Sequence, residues 1–348
     1  MSRRGRIWVG IAGVLILVVI SAAVLLPIPF VARAPGPVFD ILGEVDGKPV
    51  LVIKDTPSFP TTGTLDMTTV SESGGSAGPM NVGSALVGLF EPDTSVLPDQ
   101  APRDEGQRQV DEAIFDESQS AALGAAARHL DRPVRTRVAV LEVVPGSPSE
   151  GRLAAGDTIV SIDGKRITQR SQVGDAVGAQ PVGTTFDIGI DRDGDRSTVQ
   201  VTSAPDPDDP ARPVIGILVA EQFTSDFTVT VNLDNIGGPS AGLMLSVGMV
   251  DKLTPGDLLG GRKVAGTGTI DGEGTVGAIG GIDKKMIAAH EAGAELFVAP
   301  YDNCADVTGA TPDGLQVVPV KSLDDAVTAI QDWRAGKPLP GCPRTGDE

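Results

Sequence analysis

The stretch Ile236-Gly237-Gly238-Pro239-Ser240-Ala241-Gly242-Leu243 decides the reading of this chain, and Ile279-Gly280-Gly281-Ile282-Asp283-Lys284-Lys285-Met286 answers it further on. In the first, two glycines run into a proline, and Leu243, Leu245, Val247 and Val250 continue as far as Thr254-Pro255-Gly256, a helix stop. That pattern predicts a helix with Pro239 at its first position and Ser240 in its first turn. Unpaired backbone N–H groups and the positive end of the helix dipole lie there, so negative charge developing near Ser240 would be stabilised by Gly238, Ser240 and Ala241, the candidate oxyanion region.

A serine hydroxyl becomes a good nucleophile only when a base takes its proton. The chain has two histidines, His129 and His290, and neither is placed by sequence as an obvious partner. Lys285 is the better candidate, because it follows a Gly-Gly turn at the start of a second helix, predicted from Asp283 to Ala292 with Gly293 as its stop. Lysine acts as a base only when burial lowers its pKa, and Ile279, Ile282 and Met286 supply an apolar wall for that purpose.

Pro239-Ser240-Ala241-Gly242, Gly280-Gly281-Ile282-Asp283-Lys284-Lys285 and the following Ala288-Ala289-His290-Glu291-Ala292-Gly293 resemble the two signatures of the proteolytic domain of Lon proteases, peptidase type S16. The resemblance implies a Ser–Lys dyad of Ser240 and Lys285. Thr267-Gly268-Thr269-Ile270 resembles the family's Thr-Gly-x-Ile and implies that the Thr267 hydroxyl orients the lysine amine. Family members often carry an acidic residue three positions before the serine; Gly237 stands there in this chain, with Asp234 further upstream. A glycine-rich turn before a helix could also cradle phosphate. The sequence has no Gly-x-x-x-x-Gly-Lys-Ser/Thr, however, so an ATP-independent enzyme with no nucleotide and no other cofactor is expected.

Around this centre the 348 residues carry a net charge of −18, which argues against nucleic acid as a partner. Arg3, Arg4 and Arg6 precede a charge-free run from Ile7 to Ala32, almost wholly apolar as far as Leu26. About 20 such residues cross a bilayer as a helix, and arginines on the N-terminal side keep that end in the cytoplasm. The expectation is a single-pass cell-membrane protein with its catalytic part extracytoplasmic. A cleaved signal peptide ending near Val31-Ala32-Arg33-Ala34 is the rival, and the length of the run favours a retained anchor.

Val50-Leu51-Val52-Ile53 and Gly63 to Val70 read as strands, and Arg103 to Leu130 as one or two amphipathic helices; the Lon resemblance implies that this region belongs to the protease core. Val134 to Ala204 forms a separate unit, with a strand Val138 to Val144, a Pro145-Gly146-Ser147-Pro148 turn, and a strand leading to an Asp163-Gly164 hairpin. It resembles a PDZ domain of the bacterial protease-associated type. The resemblance implies an extended peptide added as a strand, in a groove between Val138–Leu141 and the helix Gln172–Gly178 and lined by Val138, Val140, Val173 and Val177. A Gly-Leu-Gly-Phe-like carboxylate loop is not evident in Leu130 to Arg137.

The expected fold is α+β, a Lon proteolytic domain interrupted by a β-rich PDZ domain and preceded by one transmembrane helix. Its divisions are a cytoplasmic terminus (1–6), the membrane helix (7–29), the N-terminal part of the protease domain (35–132), the PDZ domain (133–205), a linker (206–212), the remaining proteolytic domain (213–336) and a tail (337–348). Cys304 and Cys342 are the only cysteines, and outside the cytoplasm such a pair tends to oxidise. No Cys/His/Asp spacing suggests a metal. The function expected is serine endopeptidase action on unfolded or C-terminally exposed polypeptides in the envelope, with the PDZ domain for recognition or regulation. The resemblance also implies a homo-oligomer. The contrasting possibility is a catalytically silent PDZ scaffold.

Overall fold

Leu296-Phe297-Val298-Ala299 has no polar residue at alternate positions, so a strand made from it must be covered on both faces. In the computed structural model, which describes residues 21–22, 24–74, 80–99, 105–233 and 236–343, that strand is buried along its length and lies inside a sheet covered by helices on both sides.

In chain order the large unit begins with β1 (Phe30–Asp40), β2 (Leu51–Lys54), β3 (Thr64–Gly74), α1 (Val82–Phe90), β4 (Ser95–Pro98) and α2 (Glu105–His129). An inserted unit supplies β5 (Arg135–Val143), β6 (Thr158–Ile162), α3 (Arg170–Gly178), β7 (Thr185–Arg192), β8 (Asp195–Thr202) and β9 (Ile217–Thr224). The large unit resumes with β10 (Thr228–Val231), α4 (Gly242–Leu253), β11 (Lys263–Gly266), α5 (Ile282–Glu291), β12 (Leu296–Pro300), β13 (Gln316–Val320) and α6 (Leu323–Arg334).

The main sheet has the order β13-β12-β11-β3-β1-β4, parallel from β13 to β3 and antiparallel beyond. Alternation along the strands divides its residues between two cores. Val264, Leu296, Val298 and Val318 pack with α4, α2 and α6, while Ala265, Phe297 and Ala299 pack with Ile282, Met286 and Ala289 of α5. The helices α4 and α5 therefore lie on opposite faces of one sheet. Where one or two helices were expected, the described residues form the single helix α2, laid against α4.

The inserted unit has its own core of Val138, Ile159, Ile162, Phe186 and Ile188. Its sheet has the order β8-β7-β6-β5-β9. The segment after Pro213 was expected to return to the proteolytic domain. Instead β9 pairs antiparallel with β5 from Ile217↔Val143 to Thr224↔Arg135, because Ile217 and Val219 have apolar partners in the inserted core. Farther along the same strand, Phe223 enters the core of the large unit. One strand thus serves both cores. The expected linker 206–212 is the turn of a small hairpin, in which Ala204–Pro205 pairs with Pro213–Val214 and Arg212 bonds Asp206 at 2.6 Å.

Among the described residues no helix is long and apolar enough to cross a membrane. The run expected to do so lies mainly in residues 1–20, outside the described residues. Its expected end at residue 29 is too late. Pro27–Ile28 is already a strand paired with Met80–Asn81, and the proline at 27 closes the helical segment before it.

Candidate active site

β11 ends at Gly266, and beyond its end the two faces of the sheet can touch. A side chain at Gly266 would strike Met244 Sδ and the Val298 carbonyl, so glycine lets α4 approach the strand closely. Thr267 follows, fully buried, with its N–H on Val298 O. Ser240 comes from the turn before α4 and Lys285 from the first turn of α5, so the two meet past the strand end from opposite layers.

Lys285 Nζ donates to Ser240 Oγ at 2.7 Å and to Thr267 Oγ1 at 2.9 Å. Thr267 Oγ1 donates in turn to the Ser240 carbonyl at 3.1 Å. Lys285 is 3% exposed, and desolvation by burial pushes its ammonium pKa down to about 8. The neighbouring Lys284 pairs with Asp283 instead, at 3.2 Å. α5 is started by Gly281 at φ +68°, whose carbonyl accepts the Lys285 N–H. Left-handed backbone there, with Val70 against the position of any added Cβ, accounts for glycine.

The serine does not stand in the first helical turn as expected. α4 starts at Gly242, with Leu245 N–H on Ala241 O as its opening bond. The Ser240 carbonyl is occupied by Gly268 N–H and Thr267 Oγ1, so it cannot accept from a following helical residue. Of the expected oxyanion donors, the Gly238 N–H is committed to Asp111 O at 3.1 Å. That leaves Ser240 and Ala241 for the role.

Asp111, which the sequence did not single out, reaches the site from α2. Its Cβ lies 3.0 Å from where a Cβ on Gly237 would stand. Two turns along, Ser118 Oγ donates to Pro239 O at 3.0 Å. The sequence signal was present only as charge in an amphipathic helix, with nothing to tie it to the serine loop.

These residues border a cleft of about 810 Å³, lined also by Arg33, Glu72, Val70 and Ile279. β11 pairs with β3 only as far as Gly266↔Met67. Beyond Met67, β3 forms the cleft wall from Thr68 to Glu72, and its ladder with β1 occupies the opposite edge.

The peptide groove expected in the inserted unit is not where it was placed. Val138, Val140, Val173 and Val177 are all core residues, between 1% and 5% exposed, and offer no surface to a ligand. β5 is also flanked by β6 on one side and β9 on the other, so no strand can be added to it there. On the far side of β5 the outer strand is β9, with α3 beside it through the Arg170 N–H on Glu221 Oε1 at 2.8 Å. Ile215-Gly216 leads into it, with Gly216 at φ +70° and its carbonyl held by Ser147 Oγ.

α2 meets this edge as well. Ser120 Oγ accepts from Phe223 N–H at 2.8 Å, and Glu117 pairs with Arg170 at 3.1 Å. Cys304 and Cys342 form a disulfide, with Cα atoms 5.2 Å apart. Among the described residues no cluster of His, Cys, Asp and Glu could hold a metal ion.

Comparison with known proteins gives two family matches. Residues 234–331 match the Lon protease (S16) C-terminal proteolytic domain, and residues 121–202 match the PDZ domain. The Lon protease of Escherichia coli is 35% identical over 104 residues, 28% of this chain and 13% of that protein. That of Chloroflexus aggregans is 36% identical over 93 residues, 26% of this chain and 11% of that one. Lon protease 2 of Bacillus subtilis is 32% identical over 111 residues, 30% and 19% respectively. The chain thus spans less than a fifth of the length of these curated relatives. Among solved structures, the PDZ domain of an SdrC-like protein from Listeria monocytogenes is 28% identical, with 24% of this chain and 85% of that one covered and a TM-score of 0.22. The proteolytic-domain match and the Lon relatives support a serine peptidase.

Proposed function

We propose that this chain is a serine endopeptidase that works through a Ser240–Lys285 dyad without nucleotide hydrolysis of its own. The observation that carries the reading is the 2.7 Å hydrogen bond from the buried Lys285 Nζ to Ser240 Oγ. Neutral Lys285 accepts the Ser240 proton as Oγ attacks a peptide carbonyl, and the ammonium so formed donates to the leaving amine. Water then releases the acyl-enzyme by the same base. The N–H groups of Ser240 and Ala241 hold the oxyanion, and Thr267 fixes the amine on the serine side.

An extended substrate suits the cleft, because β3 from Thr68 to Glu72 offers a strand edge beside the dyad. That favours unfolded or exposed segments over folded surfaces. In the PDZ unit a peptide would add to β9 beside α3, with the Ile215-Gly216 turn at its carboxyl end. The arginines at 3, 4 and 6 before the apolar run Ile7–Leu26 support a membrane anchor with the catalytic part outside the cytoplasm. The disulfide is in keeping with that compartment, and the Lon likeness favours a homo-oligomer.

The test is hydrolysis of an unfolded protein by the full chain, without ATP, beside Ser240→Ala and Lys285→Ala. Cleavage by the wild type and loss in both variants is the expected result. A folded wild type that cuts nothing would overturn the reading in favour of a binding scaffold.

A further inference from the structure

α1 is a helix turned inside out. Its nine residues, Val-Gly-Ser-Ala-Leu-Val-Gly-Leu-Phe, carry no charge, and the face it buries is the small one. Ala85 and Gly88 are its buried residues, and at Gly88 the neighbours are Val96 of β4 and Ala32 of β1. The large apolar side chains point the other way. Leu86, Val87, Leu89 and Phe90 are all exposed, Phe90 at 87%. A helix on the surface of a water-soluble body presents the opposite arrangement. A capping box between Asn81 and Ser84 fixes where it begins, so the exposed face belongs to an ordered helix.

The surroundings extend that face. Val24, Leu25, Leu26 and Leu97 are exposed too, so eight of the thirteen large exposed hydrophobic residues among the described residues belong to this one corner of the fold. An apolar concentration of this kind marks an interaction site. What it meets is indicated by the chain itself. Leu26 is the last residue of the apolar run that starts at Ile7, and its carbonyl accepts the Val82 N–H that opens α1. Pro27–Ile28 pairs with Met80–Asn81 immediately before the helix, and Val24 lies against Gly83. If the run crosses a bilayer, its exit and α1 stand at the same depth, and any protein covering α1 would have to share that layer with lipid.

We propose that the α1 face of Leu86, Leu89 and Phe90, together with Leu25 and Leu26, inserts into the acyl-chain boundary of the bilayer in which the N-terminal run is anchored. The interaction is apolar rather than electrostatic, since no basic residue lies on α1 and Glu91 and Asp93 follow it. It rests on the anchor reading above, and it adds a second contact that fixes how the folded body stands on the membrane.

The chain's two tryptophans allow the two ideas to be tested separately. Trp8 lies in the apolar run, and Trp333 is a buried residue of α6 that serves as the constant background. The full-length protein is reconstituted in phosphatidylcholine vesicles whose acyl chains carry bromine near the headgroup or near the methyl end. Quenching of Trp8 in the wild type reports the anchor. In a Trp8→Phe background, Phe90→Trp and, separately, Leu89→Trp report α1; both positions are exposed, and retained peptidase activity confirms the fold. The expected result is about a twofold loss of the introduced emission with bromine near the headgroup, less with bromine near the methyl end, and protection from aqueous iodide. Quenching by iodide and not by lipid would overturn the proposal, with Trp8 showing whether the anchor stands. Resistance to both quenchers would overturn it in favour of a second copy of the chain covering the face. Unquenched Trp8 with a lipid-quenched α1 would sustain the α1 contact and sink the anchor.

Discussion

At the scale of single residues, the proposed dyad pairs an amine whose pKa burial lowers to about 8 with a hydroxyl 2.7 Å from it. Ser240→Ala and Lys285→Ala should each lower kcat by at least about a thousandfold, and Thr267→Val by about tenfold to a hundredfold, measured on an unfolded substrate at constant pH. Because the proposed mechanism uses the neutral amine, kcat/KM should rise as pH passes through about 8 and level off above it. Stability changes in the same direction. The folded-state pKa of Lys285 lies below its ordinary value of 10.5, so holding the proton costs the native state most below about pH 8, and the cost fades as pH rises towards 10.5. Lys285→Met, which removes that buried charge, should be inactive yet more stable at pH 7 by on the order of 1–3 kcal/mol in denaturant titration. Ser240 and Lys285 were legible in sequence because each lies beside its own glycine turn, and Thr267 only through the resemblance carried by Thr267-Gly268-Thr269-Ile270. Asp111 was not, since it comes to the serine loop from a helix far away in the chain.

At the scale of elements, β1 and β3 place two carboxylates directly opposite each other, Asp40 against Asp66. Burial first, and the Asp40 charge second, push the Asp66 pKa up to about 6. A raised carboxyl pKa contributes stability below its unfolded value near 3.8 and loses it as pH rises through about 6. Asp66→Asn should therefore stabilise the protein at pH 7 by about 1 kcal/mol once solvent screening is allowed for, with the gain gone near pH 4, as read from melting curves at the two values. Gly281→Ala should cost about 1–2 kcal/mol and lower activity as well, since α5 and Lys285 are launched from that left-handed position. Most helices and strands were legible because their periodicity is strong and their ends are punctuated, by the Ser322 cap that starts α6 and by the glycine at 293 that follows α5. The start of α4 was not. A proline ahead of an apolar run signals a helical first turn, but here the Ser240 carbonyl is claimed by Thr267 and Gly268, a tertiary contact that no local pattern encodes.

At the scale of the whole molecule, a covalent closure holds the C-terminal end of the large unit. The Cys304–Cys342 disulfide ties the tail to the segment after β12 across a sequence separation of 38. In the chain-entropy view a loop of that size stabilises by about 3–4 kcal/mol, so Cys342→Ser or a reducing buffer should lower the melting temperature by several degrees while leaving the dyad intact. The division into two units was legible from composition and turn spacing, but the strand that flanks β5 on its outer side was not. β9 lies far from β5 in sequence, and strand pairing over such a distance leaves no local mark. That pairing has a mechanical consequence. The PDZ unit joins its host by two hydrogen-bonded strands side by side, with Phe223 rooted in the host core and Ser120 and Glu117 of α2 bolting the edge. A ribbon so fastened cannot swing as a bead on a string does, so the two units should tumble in solution with a single rotational correlation time, and a substrate tail gripped at one would be presented to the other along a fixed track.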